Sequence, residues 1–232
     1  RGSGSHQPGR PTPQMPWSAT DRARVRSLSA AVPAAPPWAH IATAVVITAE
    51  TAADALTELE RLHTLYVPSQ VPAAERLTRV ASGLGRSDLR RRAELVTADA
   101  AIRQGDLVAG AATARRVLQD AEQAGDGFAL ARAHYLLAWA AHTIGDMPSA
   151  QINGVRSVEL LPAATPQEIV MDHLTITAIA FNPSPESDAY FAETLEIARQ
   201  CGDPVRSFTL HNNIAYAALE RGDLDTARRH VA

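Results

Sequence analysis

An all-α solenoid of stacked antiparallel helical hairpins is the architecture that this 232-residue sequence predicts. Two regularities carry the expectation. A Gly-Asp pair recurs at Gly105-Asp106, Gly125-Asp126, Gly145-Asp146, Gly202-Asp203 and Gly222-Asp223; the first three pairs are 20 residues apart, and so are the last two. Alanine-rich stretches of about 15 helix-forming residues separate them, so two helices and their turns make a unit with a period of about 40. The second regularity is a set of small residues counted from the Gly inside each hairpin. Seven residues before it stand Ala98, Ala138 and Ala215; four before it, Ala101, Ala141 and Ala218; five after it, Gly110, Ala150 and Ala227. Helix axes approach to about 8–10 Å only where bulky side chains are absent, which makes these the expected contact points.

Residues 1–17 are rich in Gly, Ser and Pro and read as a flexible tag or linker. Residues 18–86 hold helices that precede or cap the array. Ser18 or Thr20 can cap a first helix, 23–31 are helix-compatible, and Pro33 and Pro36-Pro37 interrupt. The run 38–49 mixes β-branched residues with alanine, and its length and alanine-rich continuation favour a buried helix over a strand. Over 54–66, Leu56, Leu59, Leu62, His63 and Tyr66 fall at helical spacing, with Pro68 as the stop. Pro72 suits the first turn of a helix that runs to Leu84 and closes at Gly85.

The array is expected over 87–232, as helices 88–104, 107–124, 128–144, 148–161, 166–181, 186–200, 204–221 and 224 to the last residue. These make four hairpins, the last cut short. In the third, Asn182-Pro183-Ser184-Pro185 stands where the period places a Gly-Asp turn, and Pro162 to Pro166 stand at the preceding turn between hairpins. Proline and asparagine reverse the chain by other means.

Composition narrows the chemistry. All 22 basic side chains are arginine, which excludes the phosphate-loop lysine, Schiff-base catalysis and Ser-Lys nucleophile pairs. A net charge of -3 provides no general attraction to nucleic acid or to anionic membrane. Cys201 has no second cysteine to bridge to and suits a reducing cytoplasm, the expected location. The apolar run 38–49 is too short to cross a bilayer. No HExxH, paired-Cys motif or EF-hand loop is present, so neither metal, cofactor nor catalysis is expected.

The segments AWAAHTIGDMPSA and IAYAALERGDLDTA resemble the tetratricopeptide repeat family, a likeness that covers 88–232 and is plainest in the second and fourth hairpins. The period of about 40 exceeds the family's usual 34, so the helices run longer; HEAT-type repeats share the longer period but not the Gly-Asp turn with its flanking alanines. The resemblance implies a right-handed superhelix whose first helices line a groove for an extended peptide or partner helix. In style it is similar to the regulatory regions of actinobacterial signalling proteins, whose outputs include diguanylate cyclases and DNA-binding domains.

By the same count, the resemblance places Tyr135, Trp139, His142 and Thr143 in the groove from the second hairpin, Leu174 from the third, and Asn212, Asn213, Tyr216 and Glu220 from the fourth. Tyr and Trp offer broad amphipathic contact and asparagine amides pair with a bound backbone; the competing reading packs the aromatics between hairpins. The expected function is protein- or peptide-binding, as the sensory part of a larger bacterial signalling protein. The alternative is a homo-oligomerisation module that controls an output domain. A histidine ladder, His134, His173 and His211, spaced 39 and 38 residues apart, raises a metal site. Neighbouring repeats stand about 10 Å apart, however, whereas zinc draws its ligand nitrogens to about 2 Å. Arg86, Arg90, Arg91 and Arg92, interleaved with Asp88, read as a solvated face, and Arg221-Gly222-Asp223 as a turn. The N-terminal helices have two open placements: capping the array, or lying in its groove as an internal ligand.

Overall fold

Each Gly-Asp pair ends one helix and begins the next. In the structure, a computed structural model, Gly105, Gly125, Gly145, Gly202 and Gly222 adopt φ of 92°, 67°, 80°, 63° and 75°, a left-handed conformation that a β-carbon disfavours. The aspartate that follows turns its carboxylate onto a backbone N–H three residues on. Asp106 accepts from Ala109, Asp126 from Ala129, Asp146 from Ser149, Asp203 from Arg206 and Asp223 from Thr226. The glycine is the stop and the aspartate is the N-cap, the latter worth about 0.5–2 kcal/mol. Where the signature lapses, Ser184 caps the next helix through the Ser187 N–H, with Pro185 at its first position.

The structure describes residues 41, 47–62 and 67–231, all within the unit Ala34–Ala232. The expected linker over 1–17, the helix near Ser18, most of the run 38–49, and His63 and Tyr66 lie outside the described residues. Among the described residues there are ten α-helices and no strand: α1 Ala49–Leu62, α2 Val67–Gly83, α3 Ser87–Arg103, α4 Leu107–Ala124, α5 Gly127–Thr143, α6 Met147–Glu159, α7 Gln167–Phe181, α8 Pro185–Cys201, α9 Pro204–Glu220 and α10 Leu224–Val231. From α3 onward every described boundary falls within two residues of its expected place. Two prolines differ from expectation. Pro68 opens α2 instead of stopping its predecessor, and Pro72 lies inside α2, past the first turn, where its missing N–H removes a helical bond.

Consecutive helices pack against each other, and the odd-numbered helices also meet: α1 touches α3, α3 touches α5, α5 touches α7, and α7 touches α9. The odd helices from α3 to α9 therefore form one continuous layer, which α1 meets at α3 and at α7, and each even helix from α2 to α8 rests on the odd helix before and after it. The small residues lie at these contacts. Ala98, Ala138, Ala215, Ala141, Ala218, Gly110, Ala150 and Ala227 are buried, and Ala101 is half-buried. At Gly110 the approach is tightest, since a β-carbon there would stand 2.5 Å from Ile102 Cγ1 and 2.8 Å from the Ala98 carbonyl oxygen. A side chain such as Ile102 can turn away, but a backbone carbonyl cannot. Gly110→Leu is therefore expected to force α3 and α4 apart and to lower the unfolding free energy in urea by about 1–3 kcal/mol; an unchanged midpoint would show that the approach is loose.

The arginines of α3 are not the solvated face that their sequence suggests. Arg91 is 6% exposed and bonds Asp126 at 2.9 Å, Arg92 bonds Glu60 of α1 at 2.6 Å, and Arg90 reaches Glu94 and Asp120. Arg86, just before α3, is the most open of the four, its side chain 45% exposed and paired with Asp88. The reason is packing: α1, α2, α4 and α5 all press on α3, which leaves its charged stripe few directions open to water.

Candidate partner-binding face

The odd-helix layer carries a line of charged and aromatic side chains where a generic helical stack would be apolar. It starts on α3, where Asp99, 1% exposed, accepts from Arg103 Nε at 2.9 Å and lies 3.9 Å from Arg132 Nη2 of α5. Arg132 is itself 2% exposed and holds its guanidinium 4.5 Å from the centre of the Tyr135 ring. Tyr135 stacks on His173 of α7 with centroids 4.7 Å apart, and its hydroxyl accepts from Arg103 Nη2 at 3.0 Å. His173 places Nδ1 3.0 Å from the Ser157 carbonyl, which requires the proton on Nδ1 and leaves Nε2 to accept from Arg132 at 3.4 Å. Four helices, α3, α5, α6 and α7, are thereby joined by one run of contacts between buried polar groups.

Burial, with the neighbouring Asp99 and Asp172 charges, pushes the Tyr135 phenol up to about 12, against the pull of Arg103. The folded pKa is above the unfolded value of about 10. Stability from the neutral phenol is therefore complete below pH 10 and lost as pH rises through about 12. Tyr135→Phe, with nothing to ionise, should escape this part of the alkaline loss when unfolding is followed from pH 9.5 to 12; parallel pH profiles for the two proteins would contradict it.

Past α7, the line continues to α9. Arg206 donates to Asp203 at 2.9 Å and to Asp172 at 3.3 Å. Burial works against its charge, and the two carboxylates outweigh that, raising its pKa. Its Nη2 also donates to the backbone carbonyl of Arg61, at the end of α1, at 2.6 Å. Arg61 in turn bonds Glu168, in the first turn of α7, with Nε at 3.0 Å. Helix α1 therefore lies across the odd layer: its apolar face, Leu56 and Leu59, joins the cluster with Leu89, Ala93 and Val96 of α3, and its C-terminal end is bonded to α7 and α9.

Beside α1 there is a cavity of about 300 Å³, lined among others by Thr57, Glu60, Arg92, Phe128, Pro166 and Ile169. Its carboxylates are already engaged, Glu60 by Arg92, Asp88 by Arg86 and Asp126 by Arg91. Shape and the Phe128 ring, over which Arg92 sits at 5.4 Å, are what the cavity has left for contact.

The far edge of the layer, at the C-terminal ends of α5, α7 and α9, is more open and brings several expected groove residues together. Trp139 and His142 meet edge to face with centroids 6.1 Å apart, and the Thr143 hydroxyl donates to the Trp139 carbonyl at 2.8 Å. Arg103 lies 5.8 Å from the Trp139 ring centre. Partial burial lowers the His142 pKa, opposed by the nearby Glu220 carboxylate. Glu220 is also bonded by Asn182 and by the Tyr216 hydroxyl. The buried Trp139 Nε1 has no acceptor among the described residues, and an unsatisfied buried donor of this kind calls for an explanation.

Comparison with known proteins adds no assignment. The chain matches no protein-family model and no curated protein.

The other expected residues divide. Tyr135 and Leu174 are each 1% exposed, covered by neighbouring helices and closed to a partner. Asn212 and Tyr216 are exposed on α9, Tyr216 one turn before Glu220 and bonded to it, and Asn213 is half-buried. The three histidines end on separate partners: His134 on Asn153 at 2.9 Å, His173 as above, and His211 on His230 at 2.8 Å. Among the described residues, no group of three or more His, Cys, Asp or Glu is placed to hold a metal, and no helix is long and apolar enough to cross a membrane. Sequence reading missed Asp99, Arg103, Arg132, Asp172 and Arg206. The signal available was an Asp four residues before an Arg on α3, which occurs on many solvated helices as well.

Proposed function

We propose that this chain is the sensory or regulatory region of a larger bacterial signalling protein, a right-handed tetratricopeptide-like solenoid that binds a peptide or helical protein segment on its odd-helix layer. The reading places it in the cytoplasm and assigns it binding without catalysis. One observation carries the proposal: the layer already holds a helix. Its apolar bed takes Leu56 and Leu59 of α1, and Arg206 captures the backbone carbonyl at the end of α1. Recognition through a main-chain carbonyl does not depend on which side chain it belongs to, so the same chemistry can serve a segment of another protein.

The free part of the layer is the edge built by Trp139, His142, Thr143, Asn182 and Glu220. There, the face of a half-buried indole, whose buried Nε1 has no acceptor among the described residues, and a half-buried imidazole stand beside a carboxylate, a combination suited to a chain segment that supplies a cation. Selection from a displayed peptide library against the full chain tests the reading. Enriched peptides should bind the wild type and lose at least tenfold in affinity to Trp139→Ala with Glu220→Ala, at equal helicity. Equal binding to both proteins, or no enrichment, would remove the edge as a recognition site.

A further inference from the structure

Helix α10 is held to the array by little apolar contact. It packs on α9, and among the described residues Ala227 is its one buried side chain. One turn further on, a bond joins the two helices: His211 Nδ1 of α9 lies 2.8 Å from His230 Nδ1 of α10. Both rings are half-buried, open enough to exchange protons with water.

Two ring nitrogens at this distance need one proton between them, so one imidazole donates from Nδ1–H and the other accepts on a bare Nδ1. The ring centroids are 5.0 Å apart, close to the nitrogen gap plus the two ring radii, so the rings meet head on. A metal ion needs about 2 Å to each nitrogen and has no room on that line. The pair is built around a proton. It holds with both rings neutral, or with one charged ring donating to a neutral one. A second charge removes the acceptor and sets two N–H groups against each other.

An earlier hairpin makes the same joint without this weakness. His134 and Asn153 stand 77 residues before His211 and His230, and His134 Nδ1 lies 2.9 Å from Asn153 Oδ1. Asn153 Nδ2 donates to the Ser149 carbonyl, which turns the amide oxygen towards the ring. An amide oxygen accepts from a neutral or a charged imidazole alike, so that joint survives acid. An imidazole in place of the amide is what makes the α9–α10 joint titratable.

We propose that the His211–His230 pair is a pH-sensitive latch that holds α10 on α9 near neutral pH and releases it on acidification. Its surroundings oppose the second proton: burial, then His211, then Arg229 lower the His230 pKa. The other charges on the packed elements are engaged elsewhere or exposed. Arg206 holds Asp172 of α7 and Asp203, Asn182 holds Glu220, and Arg228 pairs with Asp225. On α8, Asp188 pairs with Arg221 and Glu196 with Arg199, and Glu193 is exposed. With the folded value below the unfolded one of about 6.5, stability from the latch is complete above that pH and lost as the pH falls through the folded value.

Ring-nitrogen NMR and amide exchange of the full chain test the proposal. At pH 7.5 the two imidazoles should carry between them one proton on Nδ1 and one on Nε2. From pH 7 to pH 5, α10 amides, corrected for intrinsic rate, should lose protection about threefold or more relative to α6, whose joint to His134 is the internal control. His230→Asn should abolish that loss, because an amide there can turn on the Thr226 carbonyl as Asn153 turns on Ser149. Nε2 protons on both rings, α10 protection that ignores pH, or an equal loss in His230→Asn would each overturn the latch.

Discussion

Asp99→Ala is expected to destabilise the fold by about 3–5 kcal/mol, among the largest losses available to a single substitution in this chain. The variant removes the carboxylate that faces Arg103 and Arg132 and leaves the Arg132 guanidinium, 2% exposed, without the carboxylate that stands 3.9 Å from it. An uncompensated buried charge costs far more than the original pair contributes, because water cannot reach in to replace the lost partner. The argument supplies its own control. Asp99→Leu combined with Arg132→Met removes both charges and fills similar space, so the double variant should recover a substantial part of what Asp99→Ala loses. Urea unfolding at pH 7 measures both. A loss below about 1 kcal/mol for Asp99→Ala would mean that solvent reaches the pair after all.

The parts of this fold that the sequence exposes are local. A glycine that must take positive φ and an aspartate that caps the next turn are effects of one and two residues, so Gly105-Asp106 and its repeats mark helix ends to within two residues. The contact alanines are legible for a similar reason, since a small side chain has few other uses at a fixed count from a turn. The charged line is different. Asp99 and Arg132 meet only because α3 and α5 stack in one register, and nothing near either residue separates a buried arginine from a solvated one; Arg91 and Arg92 mislead in the same way. Counting from the turn also finds the face of a helix without revealing what covers it, which is why Trp139 and His142 come to an open edge while Tyr135 and Leu174 do not. The path of α1 is the least legible element. Its bonds to Glu168 and Arg206 span 107 and 145 residues.

Arg206→Ala should release the end of α1 as well as weaken the array. The wild-type guanidinium, with a side chain 11% exposed, serves Asp172, Asp203 and the Arg61 carbonyl together. Its loss leaves Asp172 short of a cation in a half-buried site and the α1 carbonyl without its donor, for an expected global cost of about 3 kcal/mol. Global unfolding alone would raise hydrogen exchange everywhere by the same free-energy difference. Release of α1 predicts an additional local opening, so amides of the second half of α1 should lose more protection than those of α5 or α7. Asp203→Ala is the comparison: it removes the α9 N-cap and one Arg206 partner but leaves the guanidinium on Arg61, so α1 should keep its protection relative to the core. If α1 is the occupant that holds the layer closed to other segments, Arg206→Ala will still bind selected peptides that rest on the apolar bed, and more tightly than the wild type does, because the competing helix has lost its anchor. Unchanged relative protection in α1 would show that Leu56 and Leu59 hold the helix without help from the arginine, and that the layer is closed by apolar contact alone.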